Sequence, residues 1–340
     1  MYKVSILVPV YGVQSYIERC ARSLFEQTYA NLEYVFVNDC TPDRSVEVLK
    51  QVMGEYPQRA GKVKIINHER NRGIAAARNT ALDNATGEFV FHVDSDDWIE
   101  PNAVDLLVKK QQETGADIVS SSFYEHRTNE VREGYLNWRI PWQERNREET
   151  LKFMLNVGSV VAVWNRLIRR SLFYEHNVRW IEGIDAGEDL IITLRLVYFS
   201  KKVAFCNAIT YHYDRSNVNS YVNLLGQNWD IQLQLIRACQ SNVSFFGEKE
   251  AFLSEAMDKQ LVQRLDRVLK LTFANHNRHG YNTILSCFDD TNRKYWPLIG
   301  WDKSRKRWKD HHYYIKRVYQ TCVQLCPLLN VRHKQKNEDW

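Results

Sequence analysis

The chain has 340 residues, 44% apolar and 26% charged, with 10 Trp, 18 Tyr and a formal net charge of +5. That balance excludes a disordered, collagenous or low-complexity protein, and no apolar run approaches the roughly 20 residues that a membrane-spanning helix needs. Seven cysteines, odd in number and without a C-x-x-C pair, argue against a disulfide framework or structural zinc and for a reducing cytoplasm.

The N-terminus has no small-residue cleavage site and does not read as a signal peptide. Val4–Val10 is a continuous apolar run of strand type, and Ser15 precedes a periodic stretch, Tyr16–Gln27. Glu33–Asn38 reads as a second strand, with a turn and helix at Asp43–Glu55. Lys62–Asn67 is a third strand, Gly73–Ala85 a small-residue helix and Glu88–Val93 a fourth strand. Pro101 opens a helix that Gly115 ends, and Asp117–Phe123 is a fifth strand. The alternation predicts an α/β fold: a Rossmann-like, mostly parallel sheet flanked by helices. Past residue 125, Arg145–Asn156, Asn165–Tyr174 and Gly187–Ser200 read as helices, and Lys202–Phe205 and Ile209–Asp214 as short strands. Gln227–Asn275 reads as two long helices broken near Gly247.

In such sheets, ligands bind beyond the carboxyl ends of the strands. Four stretches fall there: Pro9–Gly12, Asn38–Asp43, Asn71–Asn79 and Asp94–Asp97. Three acids in Asp94-Ser95-Asp96-Asp97 repel one another unless a hard cation offsets them, the alternative being a solvated turn that caps the next helix. Asp39 can accept from the N–H of a base or close an Asx turn. Arg78 either offers a cation to a base or diphosphate, or lies on the wet face of a helix packed tightly on the sheet.

Together these stretches resemble the family 2 glycosyltransferases of the GT-A fold. The resemblance runs through Ser5–Tyr11, Asn38-Asp39 to Asp43, Asn71-Arg72-Gly73, Ala77-Arg78-Asn79 and Asp94–Trp98. It resumes at Val163–Leu167, Gly187-Glu188-Asp189-Leu190 and Tyr211-His212-Tyr213. It implies a nucleotide-sugar donor, a UDP-sugar foremost, with Mn²⁺ or Mg²⁺. The transfer would be inverting, to a hydroxyl of a glycan or lipid-linked acceptor in surface-polysaccharide synthesis. By the same resemblance Tyr11 lines the base, Pro9 and Val10 lend backbone, Asp39 contacts the base, and Arg78, Ser95 and Asp94 belong to the nucleotide pocket. Asp96 ligates the metal with Asp94, Asp189 is the catalytic base, and Glu188 stands beside it. His212 and Arg215 either reach the metal or diphosphate or lie on an exposed edge strand. Trp164 is either a sugar platform or core. Cys40-Thr41-Pro42 departs from the usual Gly-Ser-Thr, which reshapes that turn, and Gln14 stands where an acid is common.

The expected division is a GT-A domain over 1–222, with a nucleotide-sugar half (1–125) and an acceptor and base half (126–222), then a helical, basic region over 223–340. From Trp301 to Trp340 ten Lys/Arg face four acids, a charge suited to an anionic membrane surface. The protein is thus expected in the cytoplasm, peripheral on the membrane. A sugar nucleotidyltransferase would want a Gly-rich loop after the first strand, and a dehydrogenase G-x-G-x-x-G; neither is present. A nucleotide-sugar-binding protein without turnover would not need Asp94, Asp96 and Asp189 together. No nucleic-acid module accompanies the basic tail, so nucleic acid is not an expected partner.

Overall fold

Four parallel strands lie side by side in the order β3-β2-β1-β4: β1 (Val4–Val10), β2 (Leu32–Asn38), β3 (Val63–Asn67) and β4 (Phe89–His92). All seven residues of β1 are buried, which is why its sequence is a continuous apolar run: helices cover both faces of a parallel sheet. The computed structural model describes residues 1–128, 130–134, 145–157, 161–217, 220, 228–247 and 249, and isolated positions from 253 to 283.

Helices α1 (Ile17–Phe25), α2 (Ser45–Glu55), α3 (Pro57–Ala60), α4 (Ile74–Asp83) and α5 (Ala103–Thr114) connect these strands and those that follow. In α1, Ile17, Cys20, Ala21, Leu24 and Phe25 are buried, the spacing of a single apolar helix face. Helix α5 ends at Gly115, whose φ of 67° is the left-handed C-cap expected of that glycine.

The sheet continues through β5 (Trp98–Ile99), β6 (Ile118–Arg127), β7 (Glu130–Gly134), β8 (Arg145–Asn146), β9 (Arg166–Arg169) and β10 (Lys202–Asp214). Its order is β3-β2-β1-β4-β9-β6-β10-β5, with β7 beside β6 and β8 beside β10. The helices here are α6 (Arg147–Val157), α7 (Ser171–Glu175), α8 (Glu188–Phe199) and α9 (Trp229–Phe246).

Two expectations change. Asn165–Tyr174 is not one helix: Arg166–Arg169 is a strand inserted antiparallel between β4 and β6, and only Ser171–Glu175 is helical. Leu167 and Ile168 are fully buried, and a slot between two strands outweighs local helical preference. The two short strands at 202–205 and 209–214 are one strand, with a register irregularity between Cys206 and Ile209.

The chain forms one compact unit over Met1–Met257 and a second over Asp258–Trp340. Helix α9, expected with the C-terminal region, belongs to the first unit, where Asn242 Nδ2 donates to Leu190 O of α8 at 3.1 Å. Among the described residues, no helix is long and apolar enough to cross a membrane. The basic tail lies outside the described residues.

Candidate active site

At the carboxyl end of β1, Pro9 and Val10 pair with Val37 and Asn38 of β2. Tyr11, the next residue, is 49% exposed, so an aromatic ring lies open where the sheet edge begins. Asp39 is buried, and its carboxylate organises the loop beyond β3. It accepts from His68 Nδ1 at 2.6 Å, Arg72 N at 2.9 Å and Gly73 N at 2.8 Å. His68, which the sequence reading gave no role, in turn contacts Thr80 Oγ1 at 2.9 Å.

Cys40 follows with a φ of 58°. This is the left-handed region, at the position where the family pattern has glycine, and a side chain there costs about 1–2 kcal/mol. The turn is held by side chains: Gly12 N donates to Thr41 Oγ1, which donates to Asp43 Oδ1, while Gln14 N donates to Asp43 Oδ2. Gln14 also has a structural part, since its Oε1 accepts from Arg44 N at 3.0 Å.

Arg78 lies on α4, the small-residue helix, and is 1% exposed. It is not on a wet face. Its Nη1 donates to Glu188 at 2.7 Å and Asp189 at 2.6 Å, and its Nη2 to Asp94 at 2.8 Å. One buried cation thus joins the first acid of the D-x-D loop to both acids in the first turn of α8. Burial works against its charge, and Asp189, Asp94 and Glu188 outweigh that, so it stays protonated. Burial also pushes both α8 carboxyls above their usual range. For Glu188 the charge of Asp189 raises it further, whereas for Asp189 the next influence is Arg78, which lowers it. The two carboxyls are coupled: burial resists ionisation of both, and Arg78 opposes that effect, as the leading counter-influence at Asp189. Asp189 Oδ2 also accepts from Val163 N at 3.2 Å.

The rest of the D-x-D loop is clasped by β10. Asp97 is fully buried and accepts from Tyr211 OH at 2.7 Å and Asp214 N at 2.7 Å, while Tyr211 OH accepts from Asp94 N at 3.1 Å. Burial and then the charges of Asp96 and Asp94 push the Asp97 carboxyl well up. The third acid is thus a strut. Ser95 is buried within the loop. Arg19 Nη2 donates to Asp96 O at 2.9 Å and Asp214 Oδ2 at 2.6 Å, with its guanidinium 3.6 Å over the Trp98 ring. Burial and the Asp94 charge push the Asp96 carboxyl up to about 6, against the amide of Asn217.

His212 does not join this group. Its ring nitrogens meet Glu100 Oε1 at 2.8 Å and His126 Nε2 at 2.9 Å, and its ring stacks on Trp98 at 4.7 Å. Alternation along a strand sends neighbours to opposite faces, and Tyr211 has taken the face toward Asp94. Arg215 pairs with Glu125 at 3.2 Å. Trp164 is buried, stacked on Tyr211 at 4.4 Å and Tyr213 at 5.3 Å, so it is core and not an open sugar platform.

Asp185, also unassigned by the sequence, seats its Oδ1 on Ala75 N at 3.1 Å, at the start of α4. A Cβ on Gly73 would lie 2.3 Å from Asp185 Oδ2, and Gly73 has φ 88° and ψ 163°. That backbone region is essentially glycine-only and costs other residues about 1–3 kcal/mol. Gly73→Ala should therefore lose at least that much stability, read as a lower urea midpoint at unchanged m-value.

The family model "Glycosyl transferase family 2" matches residues 5–176. The uncharacterized glycosyltransferase EpsJ of Bacillus subtilis is 33% identical over 65% of this chain, and the matching stretch spans 63% of the length of EpsJ. The structure of Staphylococcus aureus TarS 1-349 in complex with UDP-GlcNAc superposes with a TM-score of 0.57 at 18% identity, covering 83% of this chain and 90% of that one. The mannosyltransferase PcManGT of Pyrobaculum calidifontis in complex with GDP-Man and Mn²⁺ superposes with a TM-score of 0.56 at 15% identity, covering 88% and 84%. The fold these share is the GT-A arrangement that the strand order builds here. With a family model spanning half its length and the family's motifs gathered at one sheet edge, the chain belongs to glycosyl transferase family 2.

Proposed function

We propose that this chain transfers a sugar from a nucleotide-sugar donor to an acceptor hydroxyl with inversion at the anomeric carbon. The observation that carries this reading is the three-way grip of Arg78 on Asp94, Glu188 and Asp189, which places a donor-side acid and a base pair in one charge cluster. The base of the donor would stack on exposed Tyr11 and reach Asp39, and a UDP-sugar is our first choice. The two superposed structures hold different nucleotides, so their common class, a nucleotide-sugar, is the firmer part of the reading.

A divalent cation fits the donor set. Asp94 and Asp96 offer hard carboxylate oxygens of the kind these ions take. Asp96, with Asp94, would hold Mn²⁺ or Mg²⁺. When bound, that ion stabilises the charge that develops on the departing diphosphate. Asp189 takes the proton of the acceptor hydroxyl, and Arg78 and the N-terminus of α8 favour its ionised form. Glu188 sets the position of Arg78.

The test is UDP and GDP binding by thermal shift, with and without Mn²⁺. Binding should tighten with the ion, and Asp96→Ala should abolish that gain. Full metal-dependent binding by the variant would remove Asp96 from the metal site.

We further infer that the acceptor is a glycan or lipid-linked sugar reached from the cytoplasmic membrane face, with the tail on anionic lipid. The support is the excess of six positive charges over residues 301–340, each contributing about 1 kcal/mol near an anionic surface. Full-length protein should sediment with phosphatidylglycerol vesicles at low salt and be released at high salt. Sedimentation that survives truncation at residue 300 would refute the role of the tail.

A further inference from the structure

Beyond β10 the chain turns back over the D-x-D loop. Asp214 is fixed twice, by its N–H to Asp97 Oδ1 at 2.7 Å and by its Oδ2 to Arg19 at 2.6 Å. Its Oδ1 accepts from Ser216 N at 2.8 Å, which shapes the turn. This turn delivers Asn217, whose Nδ2 donates to Asp96 Oδ2 at 2.9 Å. Of the side chains at this end of β10, His212 faces Glu100 and His126, Arg215 faces Glu125, and Asn217 reaches the D-x-D acid.

An asparagine amide has two unlike ends. Its NH₂ donates to a carboxylate, and its carbonyl oxygen is a hard ligand of the type divalent cations take. Rotation about the last side-chain bond exchanges the two ends without moving the backbone. The backbone beside Asn217 is held to the same loop as Asp96 through Asp214, so the side chain stays within reach when the loop takes up an ion.

We propose that Asn217 is a switchable member of the cation site: its amide NH₂ holds Asp96 when no cation is bound, and the turned amide presents its oxygen to a cation bound by Asp96. The proposal rests on the reading of Asp96 as a cation ligand. It gives β10 a contribution to the site through Asn217, where the sequence had suggested His212.

The experiment is a titration of the full-length protein with Mn²⁺ alone, following the free ion by electron paramagnetic resonance. Wild type, Asn217→Ala, Asn217→Asp and Asp96→Ala are compared, each checked for folding by circular dichroism. Loss of a supporting group at a metal site typically costs about 10–100-fold in affinity. Asn217→Ala should weaken Mn²⁺ binding by about tenfold, at the lower end of that range, and Asn217→Asp, which keeps an oxygen, should bind at least as tightly as wild type. Unchanged or tighter binding by Asn217→Ala would overturn the proposal, because the amide would then be only a competitor for Asp96. If Asp96→Ala keeps wild-type Mn²⁺ affinity, the cation reading itself fails and the proposal with it. Loss in Asp96→Ala with no loss in Asn217→Ala refutes the role of Asn217 alone.

Discussion

Asp189→Asn is expected to lower turnover by about 10²–10⁴-fold, the usual loss on removing a general base, with nucleotide affinity nearly unchanged. The amide keeps the shape and one acceptor oxygen, enough for the contact to Arg78 or the one to Val163 N but not both, and it takes no proton. Glu188→Gln should retain most turnover, because the amide oxygen can still accept from Arg78. The two are separated by measuring kcat and nucleotide Kd for each variant. A near-normal Asp189→Asn beside a dead Glu188→Gln would exchange their roles, and normal turnover in both would take the base out of this motif. In wild type the acidic limb of the pH–rate profile should lie above the ordinary aspartate value of about 3.9, since burial raises both carboxyls. Linkage gives a second readout. A carboxyl raised by folding keeps a proton that the unfolded chain releases, so its stabilising effect is present at low pH and lost as pH rises through the folded value. Glu188→Gln should therefore gain stability relative to wild type at alkaline pH, by chemical denaturation, and gain less near pH 5.

Arg78→Met should cost about 3–5 kcal/mol, the range for removing one partner of a buried ion pair. The apolar chain has similar volume, but Asp94, Glu188 and Asp189 are left without their shared cation. Arg78→Lys should be intermediate in stability and poor in activity: an ammonium is a point charge, and the grip uses two nitrogens of a planar fork pointing at two different elements. Adding Glu188→Gln to Arg78→Met should recover part of the loss, since one of the stranded carboxyls is then neutral. Urea denaturation of wild type, Arg78→Met, Glu188→Gln and the double variant measures this coupling. A loss below about 1 kcal/mol in Arg78→Met, the size of a solvent-exposed pair, would show that Arg78 is not what neutralises the cluster.

The parallel half of the sheet was legible in sequence because continuous apolar runs, small-residue helices and Pro or Gly at helix ends all follow from local physics. The D-x-D loop, Arg78 and the α8 acids were legible as stretches, since each falls at a strand's carboxyl end or a helix start. What joins them was not. That Arg78 is buried against three acids depends on α8 returning to α4, and nothing in Ala75–Asn79 encodes that. Asp185 acts through a backbone N–H at the start of α4 and His68 through the side chains of Asp39 and Thr80, contacts that leave no pattern in the chain. His212 was misplaced for a simpler reason: with two residues per strand period, Tyr211 and His212 cannot both face the loop, and sequence alone does not say which does. Strand β9 was read as helix because four residues are too few to show a period. Cys40 was read as reshaping its turn; it takes the left-handed φ that suits a glycine.

The strand order also sets when the cluster can assemble. Strands β1 to β4, with α4, are complete by His92 and pair only with one another on that side, so they can associate as soon as they leave the ribosome. The central slot beside β4 waits for β9, which begins at Arg166, and β6 gains its parallel neighbour only with β10, which begins at Lys202. Such distant pairings form late, because the loop-closure entropy is spent before the contact is made. During that interval Arg78 has Asp94 within its own segment, while Glu188 and Asp189 have yet to be synthesised. On this order Arg78 would pair first with Asp94 of its own half, and the α8 acids would dock onto it afterwards.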